Sequence, residues 1–123
     1  MTSLLDTHIL IWLYNEPAKV PAWLKEQVAG STGNLVSVIS AWEYGIKRRK
    51  HGDSFGPPFA EVVRGAAFQY LDFPYACHAD AETLPPIHAD PFDRMLVAHA
   101  RHLGCPLVTA DEAIRRYPVE VLW

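Results

Sequence analysis

Short apolar runs that close on an acid or a hydroxyl recur along this chain, and helix signals fill the intervals between them. Residues 2–6 end in Leu4-Leu5-Asp6, residues 35–38 read Leu-Val-Ser-Val, and Pro106-Leu107-Val108-Thr109 leads to Asp111. Such runs read as short buried strands, although apolar periodicity alone leaves helix and strand open. Strands alternating with helices imply an α/β architecture with a mostly parallel sheet. In that architecture ligands bind beyond the carboxyl ends of the strands.

The remaining elements follow from capping and breaking residues. Residues 7–15 are apolar with several β-branched members, and a short helix directly after the first strand is the preferred reading. Pro21 suits the first turn of a helix that runs to about Ala29 and is stopped by Gly30. Ser40-Ala41-Trp42-Glu43 matches a capping box, opening a helix to about Lys50 with its cations in the last turn. Residues 52–58 form a loop, 59–69 a helix, and 70–73 a weak strand ended by Pro74. Residues 76–84 form a short helix broken by Pro85-Pro86. Asp90-Pro91-Phe92-Asp93 is a helix start, with an acid at the cap, proline at the first helical position and an acid in the first turn. That helix stops at Gly104. Strand 106–109, a short helix opened by Thr109-Ala110-Asp111-Glu112, and strand 119–122 complete the chain.

The 123 residues fit one domain, 1–123, able to bury a core without staples. A net charge of −3 gives no global nucleic-acid-binding surface, so any such contact would be local. Lys47-Arg48-Arg49-Lys50 is the densest basic stretch. Two cysteines, Cys77 and Cys105, give neither a disulfide framework nor a zinc spacing, and a reduced cytoplasmic setting fits them. No run approaches the ~20 apolar residues that span a bilayer, and no signal peptide is expected.

The sheet would gather four distant acids: Asp6, Glu43, Asp93 and Asp111. Carboxylates crowded together repel unless protonated or neutralised by a cation, and a hard ion such as Mg²⁺ prefers oxygen ligands. Phosphate chemistry follows. Each acid also has a structural alternative. Glu43, Asp93 and Asp111 suit first-turn positions that complement a helix dipole, and Asp6 could cap the segment after it. Asp90 reads as a cap with a supporting place at the site edge.

Leu4-Leu5-Asp6-Thr7-His8, the stretch Ser37 to Lys47, His88-Ala89-Asp90-Pro91-Phe92-Asp93-Arg94 and Leu107-Val108-Thr109-Ala110-Asp111 together resemble the successive motifs of PIN-domain ribonucleases. The greatest likeness is to VapC-type toxins of toxin–antitoxin modules. The resemblance spans nearly the whole chain. It implies a three-layer α/β/α fold and an endoribonuclease dependent on Mg²⁺ or Mn²⁺. It carries the family's acids onto Asp6, Glu43, Asp93 and Asp111, and its small hydroxyl residue onto Thr109. Asp6 and Asp93 would be the principal metal ligands, and the ion would activate water and offset charge on the phosphate. The resemblance also implies a cognate antitoxin and a homodimer.

Lys47, Arg48 and Arg49 could hold the RNA backbone, or simply form a solvated helix end. Arg94 could touch phosphate, or pair at the surface with an acid. His99 and His102 are one turn apart but lack a third ligand, and read as exposed helix residues. His8 packs or borders the site, His88 braces the helix start, and Cys77-His78 is a coincidence. The tryptophans belong to core or interface packing. Residues 51–75 carry no diagnostic motif, so substrate choice is open. Two other functions stay in view. One is a PIN nuclease of RNA processing, which the lack of room for further modules disfavours. The other is a non-enzymatic α/β signalling module with an acidic metal pocket, like a phosphorylatable receiver.

Overall fold

A computed structural model of the chain describes residues 2–64 and 68–123. Five parallel strands form one sheet in the order β3-β2-β1-β4-β5. They are β1 (Thr2–Leu5), β2 (Gly33–Ser37), β3 (Phe68–Leu71), β4 (Leu107–Val108) and β5 (Val121–Leu122). The helices are α1 (Thr7–Asn15), α2 (Ala22–Gly30), α3 (Val38–His51), α4 (Phe59–Val62), α5 (Tyr75–Thr83) and α6 (Pro91–Leu103).

The alternation of side chains along each strand sorts the core into two halves. Leu4, Leu35 and Leu107 lie in register and point to one face, where Ala81, Leu96 and Val97 of α5 and α6 cover them. Leu5, Val36 and Val108 point to the other face, against Ile9, Leu10 and Leu24 of α1 and α2. Each fully buried leucine contributes about 1.5–3 kcal/mol of transfer free energy. The result is the expected three-layer α/β/α arrangement. Strand order reverses between β1 and its two neighbours, β2 and β4. A crevice opens at such a switch point, beyond the strand ends. Asp6 immediately follows β1, Ser37 ends β2, and Thr109 immediately follows β4.

Several local expectations are corrected. Helix α3 begins at Val38, and its cap is Ser37, whose Oγ accepts the Ile39 amide at 3.1 Å. The capping box at Ser40–Glu43 is therefore not the helix start. The strand runs straight into the helix, and the Ser40 hydroxyl instead accepts from Thr7 Oγ1 at 2.9 Å. The helix expected over 59–69 is helical only at Phe59–Val62, and its residues 65–67 lie outside the described ones. The weak strand begins two residues earlier than expected, at Phe68. Thr109–Glu112 opens no helix. Thr109 Oγ1 accepts the Asp111 amide at 3.1 Å and Asp111 Oδ1 accepts the Ala113 amide at 2.9 Å. These side-chain bonds to the backbone make turns, and only a single 3₁₀ turn follows at Ile114–Arg116.

Helix α6 matches expectation at both ends. Asp90 Oδ1 accepts the Phe92 amide at 2.9 Å, and Gly104 takes a left-handed φ of 66° as the C-terminal cap. Gly56 is required for a different reason. A Cβ there would lie 2.6 Å from the Tyr44 hydroxyl, which donates to the Pro57 carbonyl. Among the described residues no helix is long and apolar enough to cross a membrane.

Candidate active site

The first turn of α1 places Asp6 at the helix cap position, yet its carboxylate makes no capping bond. It is 2% exposed and accepts the Thr109 hydroxyl at 2.7 Å. Glu43 lies in the second turn of α3, because that helix starts at Val38. Dipole complementation therefore does not explain it. It too is 2% exposed, and Lys47 one turn later pairs with its Oε2 at 3.0 Å. Asp93 sits in the first turn of α6, buried, as the Asp90 cap directs. Asp111 is held in its turn by the Thr109 hydroxyl, so one threonine positions two of the four acids.

The four acids face one another closely enough to interact. Burial raises the Asp93 pKa to about 8, and the nearby charges of Asp6, Asp90, Glu43 and Asp111 push in the same direction. Burial also raises Asp6 above the ordinary carboxylate range, against the lowering effect of the Thr109 hydroxyl. Among the described residues three buried side-chain atoms lack a hydrogen-bond partner, and two of them are Asp6 Oδ1 and Glu43 Oε1. An orphaned buried carboxylate oxygen is costly, typically ~1–3 kcal/mol or more. Two orphans in one acidic cluster fit a bound hard cation, which accepts oxygen ligands and offsets the repulsion.

One residue of the cluster escapes a reading of the sequence. His88 Nε2 lies 3.0 Å from Asp93 Oδ2 and 2.9 Å from Asp111 Oδ2. These three side chains present possible ligand atoms within 4.8 Å of one another. Position 88 precedes the Asp90 cap by two residues, and His88 Nδ1 accepts the Asp90 amide at 3.1 Å. That bond is the expected brace of the helix start, but nothing in sequence spacing shows the other ring nitrogen reaching across the site.

Other candidates are placed elsewhere. The Arg94 guanidinium donates to the carbonyls of Ala81, Leu84 and Pro85 at 2.8–2.9 Å and to the Tyr117 hydroxyl at 3.3 Å. It holds a loop, and among the described residues it pairs with no acid. Arg48 donates to the Gly56 carbonyl and to Asp53 Oδ1, while Arg49 is exposed at the helix end. His99 is not an exposed helix residue. It is 1% exposed, its Nδ1 lies 2.9 Å from Ser37 Oγ, and burial lowers its pKa. Its neighbour His102 is exposed.

The carboxylate cluster lies at the switch point of the parallel sheet, where ligands bind in open α/β folds. The PIN domain model matches residues 3–120, and the chain belongs to that family of nucleases. Solved structures share the fold. VapBC2 from Rickettsia felis, bound to a DNA fragment from its promoter, superposes with a TM-score of 0.76 at 19% identity, covering 99% of this chain and 98% of that one. DNA-bound VapBC from Salmonella typhimurium gives 0.77 at 18% identity, with 99% and 97% covered. FitAcB from Neisseria gonorrhoeae gives 0.58 at 19% identity, again with 99% and 97% covered. No curated protein matches the sequence significantly.

Proposed function

We propose that this protein is a metal-dependent endoribonuclease that hydrolyses RNA phosphodiester bonds and acts as the VapC-type toxin of a toxin–antitoxin pair. The observation that carries this reading is the convergence of Asp6, Glu43, Asp93 and Asp111 in one crevice, with Asp6 Oδ1 and Glu43 Oε1 unpartnered. Asp6 and Asp93 would hold Mg²⁺ or Mn²⁺, which supplies Lewis-acid stabilisation of phosphate charge and lowers the pKa of water. The chain's own work is positioning. The Thr109 hydroxyl fixes Asp6 and the Asp111 turn, Asp90 caps the helix that carries Asp93, and the Lys47 ammonium orients Glu43. Asp6, Glu43 and Asp93 are buried, and attraction between a carboxylate and a cation is stronger in such a low-dielectric setting than in water.

The basic end of α3 is the local surface for the RNA backbone. Arg49, exposed in the last turn, would meet phosphate, Lys47 sits at the edge of the site, and Arg48 adds charge while bonded to its own loop. Arg94 contributes by holding the loop rather than by reaching RNA. An antitoxin partner is supported by relatives whose structures are VapBC complexes, and by an apolar cavity of about 530 Å³ lined by Leu10, Leu13, Tyr14, Val28, Val62 and Phe68. A homodimer is supported by exposed Trp42, Ile46 and Tyr75 on α3 and α5, whose burial against a second copy removes apolar area from water. The free, buried Cys77 and Cys105 suit a reducing cytoplasm.

The test is cleavage of structured and unstructured RNAs by the protein purified free of any partner. Cleavage with Mg²⁺ or Mn²⁺ that EDTA stops is expected, and neutralising Lys47, Arg48 and Arg49 should flatten the salt dependence of RNA binding. Cleavage that persists in EDTA contradicts the metal role, and an unchanged salt slope removes the basic patch.

A further inference from the structure

The orientation of the His88 ring can be read from its hydrogen bonds. Its Nδ1 accepts the Asp90 amide at 3.1 Å, so Nδ1 carries a lone pair and the ring proton lies on Nε2. That Nε2–H faces carboxylate oxygens of two separate segments, Asp93 Oδ2 at 3.0 Å and Asp111 Oδ2 at 2.9 Å. To ligate a cation, Nε2 would have to lose this proton to Nδ1, which would break the Asp90 bond that braces the start of α6. The backbone that carries the ring is itself anchored, because the His88 amide donates to the Tyr117 hydroxyl at 2.8 Å. We propose that His88 is a positioning residue that occupies the cation's place between Asp93 and Asp111, competing with the metal rather than ligating it. In the metal-free protein its single donor joins two acids that repel when both are ionised, and metal entry releases it. This rests on the reading of the crevice as a metal site.

His88→Asn separates the two roles of the ring. An asparagine Oδ1 replaces Nδ1 as acceptor for the Asp90 amide, and no group replaces Nε2–H. Mn²⁺ binding to the partner-free protein is measured by calorimetry for the wild type, His88→Asn and His88→Ala, alongside thermal melting in EDTA. The expected result is Mn²⁺ binding tighter by about tenfold in His88→Asn, the size of one lost competing bond to a charged group. The metal-free variant should melt at a lower temperature than the wild type. Affinity that falls, with a larger fall for Ni²⁺ than for Mn²⁺, identifies His88 as a nitrogen ligand and overturns the proposal. Unchanged affinity reduces His88 to a brace and also overturns it. A wild type that binds no Mn²⁺ overturns the metal site itself, an outcome distinct from the other two. If His88→Ala fails to fold, His88→Asn alone decides.

Discussion

Replacing Asp93 with asparagine should abolish RNA cleavage while making the metal-free protein more stable. The carboxylate is buried, and the charges of Asp6, Asp90, Glu43 and Asp111 all oppose its ionisation, so its pKa stands at about 8. The sign of the linkage is fixed by that value. Between the ordinary carboxylate pKa near 3.8 and about 8 the folded state holds a proton that the unfolded state has lost. Stability of the metal-free wild type therefore falls as pH rises through this window, by at most about 1.4 kcal/mol per pH unit from this group, and levels off above it. The neutral amide of Asp93→Asn carries no such penalty, so in EDTA at pH 8 the variant should melt higher, with a flatter pH dependence. Removing a ligand also forfeits several kcal/mol of metal-derived stabilisation of the transition state, so cleavage should drop by at least roughly 10²–10³-fold. Added Mn²⁺ should raise the melting temperature of the wild type but not of the variant. Melting curves in EDTA and Mn²⁺ across pH 5–9, with a cleavage assay, check all of this. A variant that cleaves at the wild-type rate, or that is destabilised in EDTA, would contradict it.

The second large effect is on stability alone. Arg94→Ala should lower stability by about 2–4 kcal/mol, a fall of roughly 10 °C in melting temperature for a domain of this size. The guanidinium satisfies the carbonyls of Ala81, Leu84 and Pro85, which end α5 and begin the following loop. Its contact with the Tyr117 hydroxyl links it to the His88 amide, which donates to the same oxygen. Losing the side chain leaves carbonyls without their donor and loosens the loop that carries His88. Arg94→Lys should recover only part of the loss, because one ammonium cannot reproduce a planar fork bonded to three carbonyls. Thermal melting in EDTA gives the answer. A melting temperature within a degree of wild type would show that solvent replaces these bonds without cost.

The fold is legible because its signals are local. Leu4-Leu5 and Leu107-Val108 are short apolar runs set beside helix signals, which reads as buried strand, and Asp90-Pro91 marks the start of α6 to the residue. The misplaced boundaries arise where a side chain serves a distant partner instead of its own helix. Ser40 has the look of a cap, but its hydroxyl is taken by Thr7, and Ser37 caps in its stead. Thr109 and Asp111 have the look of a helix start, but they bond to the backbone of a turn and to Asp6. Asp6 stands out in the sequence because apolar residues flank it, whereas Glu43, Asp93 and Asp111 each also suit a first-turn position and become candidates only as a set, through the order of the motifs. His88 cannot, because its role depends on which nitrogen faces the crevice, and that is set by a tertiary arrangement with no sequence period. The same holds for Arg94, a surface-like residue whose partners lie 9 to 23 positions away.

The most direct measurement is anomalous scattering from a crystal of the partner-free protein grown with Mn²⁺. A peak within bonding distance of both the Asp6 and Asp93 carboxylates, with His88 turned away from Asp93 and Asp111, is the expected result. A crevice without manganese, or manganese bound only at exposed acids elsewhere on the surface, would contradict the proposal that these four carboxylates form a metal site.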